Sequence, residues 1–295
     1  PWYLFVYDDE WRILNTYRML DWAYNASNPV AANAKERFVY HNAGLGGWGG
    51  SSYIDSVMLR DRDADTAWNA ASDGTMEERV YYAQNWRHDV SALVTDDGRM
   101  IEWIKYSSYG VPWSLPAADT DSDGDFDATD LSAITGTYDV RKDVNLDGTV
   151  DPVIDFLDAL DLNNGYSTLG WSKLGATKWG NRKGYAGYEG DTALAGMKWH
   201  VRHRVLESEL GRWMRRDPAG YVDSANLALY VRGRSIQYVD PSGLASDTPC
   251  ALSAEGCGDY SDAQPPWSPS IGDPDADPDP SWTETTCPLG AAYAC

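Results

Sequence analysis

Short strand patterns joined by Asp/Gly turns constrain the fold of this chain more than any other feature. In the first 113 residues, alternating aromatic and aliphatic runs are separated by acidic and glycine-containing turns, as in the strand pattern 90–94, the turn 95–99 and the strand pattern 100–106. Such alternation predicts antiparallel hairpins, and its repetition predicts a meander or a repeat array. We therefore expect a mainly β fold, with strands over 3–17, 36–41, 79–83, 90–94, 100–106, 197–205 and 227–232.

The aromatic residues support the same interpretation, because 14 Trp and 19 Tyr stand against only 4 Phe. Amphipathic rings suit strands that have one packed face and one wet face. Five tryptophans of the strand-like regions are expected to be buried, namely Trp11, Trp86, Trp103, Trp199 and Trp213. No apolar run approaches the ~18 residues that suggest a membrane span, so we expect none.

The net charge of −21 is concentrated in two segments. Residues 119–161 carry thirteen acidic residues against Arg141 and Lys142, and residues 245–295 carry nine acidic residues and no Lys or Arg. The remainder is close to neutral. Acidic segments on a neutral body indicate local causes, namely cation binding and a solvated tail, and they argue against nucleic acid as a partner.

Composition divides the chain into a β region, an acidic insert, a second aromatic and turn-rich region, and a proline-rich tail. Their expected bounds are 1–113, 114–165, 166–244 and 245–295. The tail cannot bury enough apolar surface to fold and is expected to be irregular. Disulfides in an exported protein and free thiols both remain open for its four cysteines, Cys250, Cys257, Cys287 and Cys295.

The segment from Asp119 to Asp130 has the spacing of a calcium-binding loop. Carboxylates stand at loop positions 1, 3, 5, 9 and 12, glycine stands at position 6, and position 7 offers its backbone carbonyl; the candidate ligands are Asp119, Asp121, Asp123, Asp125, Asp127 and Asp130. Ca²⁺ requires about six to eight oxygen ligands on a sharply turning loop. A closing Asp in place of the Glu of EF-hands resembles dockerin-type loops. The alternative is an Asp-rich solvated turn.

A second loop begins at Asp143 but departs from this pattern, because its position 12 would be Ile154, which cannot ligate. A four-residue insertion restores the pattern, with Asp155 and Asp158 at the ninth and twelfth positions; the candidate ligands are Asp143, Asn145, Asp147, Thr149, Asp151, Asp155 and Asp158. Dockerins usually pair two such loops around a small helical core, and the apolar segment 155–160 predicts a short helix. Because the insert lies inside the chain, we favour a Ca²⁺-stapled structural element over one that docks a cohesin-like protein.

The regions on either side of the insert resemble bacterial Rhs/YD-repeat proteins. Residues 81–98 resemble a last YD-type repeat, and residues 184–244 resemble the Rhs-associated core, including the paired motifs Asp217-Pro218-Ala219-Gly220 and Asp240-Pro241-Ser242-Gly243. The resemblance implies an antiparallel β-shell fragment, secreted or on the cell surface, in which YD repeats wind into a hollow shell that the core plugs. It also implies upstream YD repeats of the same polypeptide as partners. Since the chain opens at Pro1 in mid-strand, we expect any export signal to lie upstream.

The same resemblance implies self-cleavage, because Rhs-type cores often cut their own chain after the second Asp-Pro-x-Gly-Leu motif. The cut would fall between Leu244 and Ala245. Two adjacent carboxylates can share a proton, so that one activates water and the other protonates the departing amine. The candidates are Asp217, Asp240, Asp223 as a third carboxylate, and Arg216 to polarise the scissile carbonyl. The alternative is that both motifs serve only as turns.

Three classes of function stay open. The favoured class is a secreted or cell-surface structural shell module that binds Ca²⁺ and is at most an intramolecular aspartyl-type autoprotease. The second class is an adhesion module whose exposed Trp and Tyr bind a cell-surface glycan or a protein. The third class is the C-terminal part of a toxin-delivery shell, although the tail has no His, Lys or Arg for a catalytic cargo.

Overall fold

The computed structural model describes residues 2–9, 11–19, 30–41, 53–67, 70–191, 196–221 and 224–246. The expected irregular tail and its cysteines therefore lie outside the described residues, apart from Ala245 and Ser246. The described part is mainly β, as the turn and strand patterns predicted, and all its named strands pair antiparallel.

The largest sheet has nine strands, and its first eight follow one another in chain order as a meander. These are β1 (Trp2–Tyr7), β2 (Ile13–Met19), β3 (Val30–Tyr40), β4 (Val57–Arg62), β5 (Glu78–Gln84), β6 (Val90–Thr95), β7 (Met100–Tyr106) and β8 (Pro112–Pro116). Sequential pairing is the expected result of tight Asp/Gly turns, since such turns bring consecutive strands side by side.

The chain leaves this sheet after β8 and returns to it through β11 (Gly170–Trp171), which pairs with β8. The excursion contains β9 (Asp125–Phe126), α1 (Ala128–Ala133), α2 (Ile154–Asn163) and β10 (Ser167–Thr168). Strands β9 and β10 pair with each other and close its base. No helix in the described ranges is long and apolar enough to cross a membrane.

A four-stranded sheet follows, made of β12 (Glu189–Asp191), β13 (Lys198–Val201), β14 (Arg204–Glu207) and β15 (Arg212–Trp213). The strand expected over 227–232 is wrong: this segment has one isolated bridge, Leu229 to Arg212, and then a 3₁₀ turn over Val231–Gly233. Val231 and Arg232 both have positive φ, at 39° and 57°, which turns the backbone out of an extended path.

The core joins the large sheet to the four-stranded sheet through a cluster of aromatic rings. Tyr185 is fully buried, and its ring centroid lies 5.9–6.4 Å from those of four neighbours, Tyr106, Tyr188, Trp199 and Tyr230. Gly110, at φ +88°, allows this packing, because a Cβ there would lie 2.6 Å from the Tyr185 ring. Amphipathic rings thus fill the centre of the molecule, and their hydroxyls find partners there.

The burial predicted for the tryptophans is confirmed for two of them. Trp199 and Trp213 are buried in the aromatic core, and Trp103 is half-buried. The prediction is wrong for Trp11 and Trp86, which are 66% and 44% exposed. Both lie in hairpin turns rather than strands, and a turn residue has no facing sheet to pack against.

A buried arginine attaches the segment that follows β11 to the large sheet. Arg60 on β4 is fully buried and lies 3.6 Å from Glu36 and 2.7 Å from Glu78, on the two adjacent strands. Its guanidinium also donates to the carbonyls of Trp179 and Gly180. These contacts fix the returning chain against β3, β4 and β5, because they offset much of the cost of burying the guanidinium.

Trp199→Ala should lower the free energy of unfolding by about 3–5 kcal/mol, because truncating a fully buried indole leaves a cavity. Trp171→Ala is the matched control: this ring is 60% exposed, and its loss should cost about 1 kcal/mol or less. Urea denaturation followed by far-ultraviolet circular dichroism measures both. Equal losses for the two variants would contradict the assignment of the core.

Candidate functional site

A buried arginine stands between the two aspartates predicted for self-cleavage. Arg204 is the first residue of β14, and its guanidinium lies 2.8 Å from the Asp217 carboxylate and 2.9 Å from the Asp240 carboxylate. The carbon of this guanidinium also lies 4.2 Å from the centroid of the Trp213 ring. The planar fork of an arginine can serve two carboxylates at once, and stacking on an indole adds cation–π attraction.

Each of the two aspartates caps the turn that its own motif forms. Asp217 accepts the N–H of Ala219 at 2.8 Å, and Asp240 accepts the N–H of Gly243 at 2.8 Å. The second oxygen of each carboxylate is then directed at Arg204. Both Asp-Pro-x-Gly motifs are therefore turns, as their composition predicts, and these turns bring the two carboxylates to one cation.

The predicted cleavage point lies against Asp240. One oxygen of the Asp240 carboxylate accepts the N–H of Leu244 at 3.0 Å and the N–H of Ala245 at 3.2 Å. The nitrogen of the Leu244–Ala245 peptide is thus within hydrogen-bonding reach of an acid. Arg204 Nε donates to the carbonyl of Gly243, the peptide before it.

Burial raises the pKa of Asp240 to about 7, while the Arg204 charge and the N–H groups of Leu244 and Ala245 act in the opposite direction. The side chain is 1% exposed, so water cannot solvate its ionised form. A carboxyl group in this environment can carry a proton near neutral pH, which is the property that a general acid requires.

The remaining two candidates do not join this site. Arg216 is exposed, and Arg204 occupies the position expected for it beside the carboxylates, which corrects the predicted role of Arg216. Asp223 lies outside the described residues. Sequence reasoning missed Arg204, because it belongs to a strand of the preceding hairpin and no motif spacing connects it to either turn.

The floor of the site is formed by buried tyrosines. The N–H of Asp240 donates to the hydroxyl of Tyr188 at 3.0 Å, and this hydroxyl lies 3.4 Å from that of Tyr230. Burial raises the pKa of both phenols well above the ordinary value, so both stay protonated and neutral. The tyrosines therefore hold the backbone of the second motif without adding charge.

The first predicted calcium loop is shaped by two buried carboxylates. Asp119 accepts the N–H groups of Ser122 at 2.6 Å and Gly124 at 3.0 Å. Asp130 accepts those of Thr120 at 2.7 Å and Asp127 at 3.0 Å, and the Asp127–Asp130 pair also caps α1. The carboxylates at loop positions 1 and 12 therefore lie close together.

The second loop repeats these hydrogen bonds with one extra residue. Asp143 accepts the N–H groups of Asp147 at 3.0 Å and Gly148 at 2.9 Å, and Asp155 accepts those of Val144 at 2.8 Å and Asp151 at 2.7 Å. Asp155 therefore holds the closing position, and Asp151 matches Asp127. These hydrogen bonds favour a one-residue insertion over the predicted four-residue insertion.

Asp158, expected at the twelfth position of the second loop, is directed elsewhere. Its carboxylate lies 3.2 Å from the guanidinium of Arg99, which also meets Asp161 at 2.9 Å. The other candidates lie along the two loops, where Asp121, Asp123, Asn145 and Asp147 each accept the N–H two residues ahead and Thr149 donates to Asp147. Arg99 thus ties α2 to the turn between β6 and β7.

The donor set of the first loop fits a hard cation. Carboxylate oxygens of Asp119, Asp121 and Asp130 lie within 4.8 Å of one another, as do those of Asp125, Asp127 and Asp130. The pKa of Asp119 is raised to about 6, chiefly by burial and also by the charges of Asp130 and Asp123, while backbone N–H groups oppose the shift. An oxygen-only cluster whose negative charges repel one another suits Ca²⁺ or a similar ion.

No protein-family model and no curated protein matches the chain. Among solved structures, it is similar to TcdB2-TccC3 without its hypervariable C-terminal region, at 15% identity over 82% of this chain and 9% of that one, with a TM-score of 0.39. It is also similar to the Photorhabdus luminescens Tc holotoxin pore, at 14% identity over 83% of this chain and 9% of that one, with a TM-score of 0.40. The chain thus spans about a tenth of the length of these proteins.

Arg204→Met should destabilise the fold by about 3–5 kcal/mol, because it leaves two desolvated carboxylates without their cation. Arg216→Met is the control and should change stability by about 0.5 kcal/mol or less, since that side chain is exposed. Chemical denaturation at pH 8, where Asp240 is largely ionised, measures the difference. A larger loss for Arg216→Met would restore the role predicted from the sequence.

Proposed function

We propose that this chain is a structural β-shell module of an Rhs/YD-repeat type protein, and that its core cleaves the chain after Leu244. One observation carries the second part: the nitrogen of Ala245 lies 3.2 Å from Asp240, and Asp240 shares Arg204 with Asp217. The nitrogen of the peptide to be cleaved lies beside a protonatable acid, and a second carboxylate pairs with the same arginine. Both features support a role in peptide hydrolysis.

The shell part of the proposal is supported by the order of the strands. The sheet is a meander whose first strand, β1, is an edge strand within the described residues. Its exposed residues include Leu4 and Val6, at 41% and 36%. An edge strand with exposed apolar side chains is a site for further strand pairing, and upstream YD repeats of the same polypeptide would supply such strands. A secreted or cell-surface location accompanies this proposal, with a toxin-delivery shell as its more specific form.

In the proposed reaction, ionised Asp217 accepts a proton from a water molecule, and the oxygen of that water forms a bond to the carbonyl carbon of Leu244. The carbon–nitrogen bond to Ala245 then breaks as Asp240 gives its proton to the departing nitrogen. The products are a carboxylate at Leu244 and an amine at Ala245. Burial favours the protonated form of Asp240, and the charge of Arg204 opposes that shift.

Incubating the full chain with an upstream extension should give a product that ends at Leu244, as measured by intact mass. Asp217→Asn and Asp240→Asn should each leave the chain whole, because an amide can neither accept nor deliver the proton. Cleavage by the wild-type chain should slow as the pH rises through about 7, since Asp240 loses its proton there.

Arg216→Met serves as the control for this measurement and should cleave at the wild-type rate. A wild-type chain that stays intact at pH 5–7 on prolonged incubation would leave the two motifs as structural turns only. Cleavage at another bond, or cleavage that survives both aspartate substitutions, would contradict the assigned residues.

We further propose that the insert binds Ca²⁺ and is a structural element of the module. The support is the duplicated hydrogen-bond pattern of the two loops, which aligns Asp119 with Asp143 and Asp130 with Asp155. The cation would offset the repulsion among the clustered carboxylates and would hold the loop ends together. In loop 1 the ligands would be the six candidates from Asp119 to Asp130. In loop 2 they would be the candidates from Asp143 to Asp155, without Asp158.

Isothermal titration of the full chain with CaCl₂ should show two binding events. Asp130→Ala should remove one and Asp155→Ala the other, whereas the control Asp158→Ala should keep both, because its carboxylate pairs with Arg99 instead. The wild-type melting temperature should rise with Ca²⁺, since a ligand of the folded state stabilises it. An absence of binding heat for the wild type would refute the proposal, and loss of a site only in Asp158→Ala would restore the four-residue insertion.

A further inference from the structure

A cleft outside the insert opens between the β1–β2 hairpin and the four-stranded sheet. Its volume is about 550 Å³. The hairpin side includes Phe5, Tyr7 and Trp11, and the opposite side includes Glu189 and His200. Cavities of this size, lined by aromatic rings and a few polar groups, are typical of small-molecule sites.

Trp11 is held at the rim of the cleft in an unfavourable backbone conformation. Its φ is +62°, a region that residues with a bulky side chain seldom occupy, and its ring is 66% exposed. The hairpin turn imposes this geometry, because the N–H of Trp11 donates to the carbonyl of Asp8 and the carboxylate of Asp8 accepts from Arg12. This φ is the one that such a hairpin turn requires, since the equivalent turns have positive φ at His88, Gly98 and Gly110. The turn thereby places a large, exposed apolar ring at the rim of the cavity, where a ligand can reach it.

A second aromatic ring extends the surface that Trp11 offers. Tyr7 is 45% exposed, and its ring centroid lies 6.1 Å from that of Trp11, with an angle of 50° between the ring planes. Both rings line the same cleft. Their faces present apolar surface with a negative quadrupole, which attracts the weakly positive C–H groups of a ligand.

The charged groups on the floor of the cleft are paired with one another. Arg202 and Asp55 form two contacts of 3.0 Å, and His200 lies 3.1 Å from Asp191. Glu189 lies 2.8 Å from Arg182 and 3.2 Å from Lys183, the remaining cations on this floor. Since these charges already have counter-charges within the protein, binding an ionic ligand would add little favourable electrostatic free energy. The same groups still offer N–H donors and oxygen acceptors to hydroxyl groups.

We propose that this cleft binds a neutral saccharide. The C–H face of a sugar ring lies against Trp11 and Tyr7, and the sugar hydroxyls exchange hydrogen bonds with the paired carboxylates and guanidinium groups behind them. A neutral, polyhydroxylated ligand can pack against the aromatic rings and hydrogen-bond with the charged groups without breaking the ion pairs. The proposal does not depend on the cleavage and calcium proposals, because the described residues of the cleft include none of the carboxylates assigned to those roles. Tyr188 lines the cleft and also accepts the N–H of Asp240.

The test is isothermal titration of the full chain with a panel of neutral hexasaccharides built from glucose, xylose, mannose, galactose and N-acetylglucosamine. At least one should bind with a dissociation constant of about 1 mM or tighter. Trp11→Ala should weaken that binding at least tenfold, while Trp11→Phe, which keeps an apolar ring, should weaken it by less than fivefold.

Trp171→Ala is the matched control, because this tryptophan is also largely exposed, at 60%, but does not line the cleft. Its affinity should equal that of the wild type. Thermal unfolding of each variant shows that the chain remains folded. If Trp171→Ala abolished binding and Trp11→Ala did not, the site would lie elsewhere. The proposal would also be overturned if no neutral hexasaccharide bound, or if sulfated or uronic-acid oligosaccharides bound more tightly than neutral ones.

Discussion

The pairing of β8 with β11 is the contact on which the rest of the structure depends. The pairs Gly170–Ser114 and Trp171–Trp113 close the excursion that contains both acidic loops. Because its two ends lie side by side, a long insert joins the sheet without interrupting the meander, and closing a longer loop costs only slightly more entropy. The same contact starts the returning chain on the path that brings its carbonyls to buried Arg60.

Buried guanidinium groups fix the positions of distant chain segments relative to one another. Arg60 and Arg204 are both almost completely removed from water, and each is surrounded by two carboxylates and at least one backbone carbonyl. A desolvated charge is costly unless other groups compensate it, so each arginine specifies the positions of groups that come from distant parts of the chain. Near Arg204 this requirement brings the two turn motifs together, and burial there raises the pKa of Asp240.

In the acidic insert, the carboxylates that form the loop turns are also the source of its negative charge. Asp119 and Asp143 each accept two backbone N–H groups, so the loops have their turn geometry from hydrogen bonds within the chain. The carbonyl of Val144 accepts the N–H of Met100, which begins β7, and order in the second loop is therefore linked to the sheet.

The sequence by itself determined the local structure: the hairpins of the meander, the two Asp-Pro-x-Gly turns, and the loop from Asp119 to Asp130. All of these depend on hydrogen bonds between residues a few positions apart, and a sequence pattern records such bonds directly. Only the tertiary structure decided that Arg204 and not Arg216 meets the aspartates, that Asp155 closes the second loop, and that Trp11 stands at a cleft. Ion pairing and burial join residues from separate elements, and whether two such side chains meet depends on how the sheets pack, which no local spacing encodes.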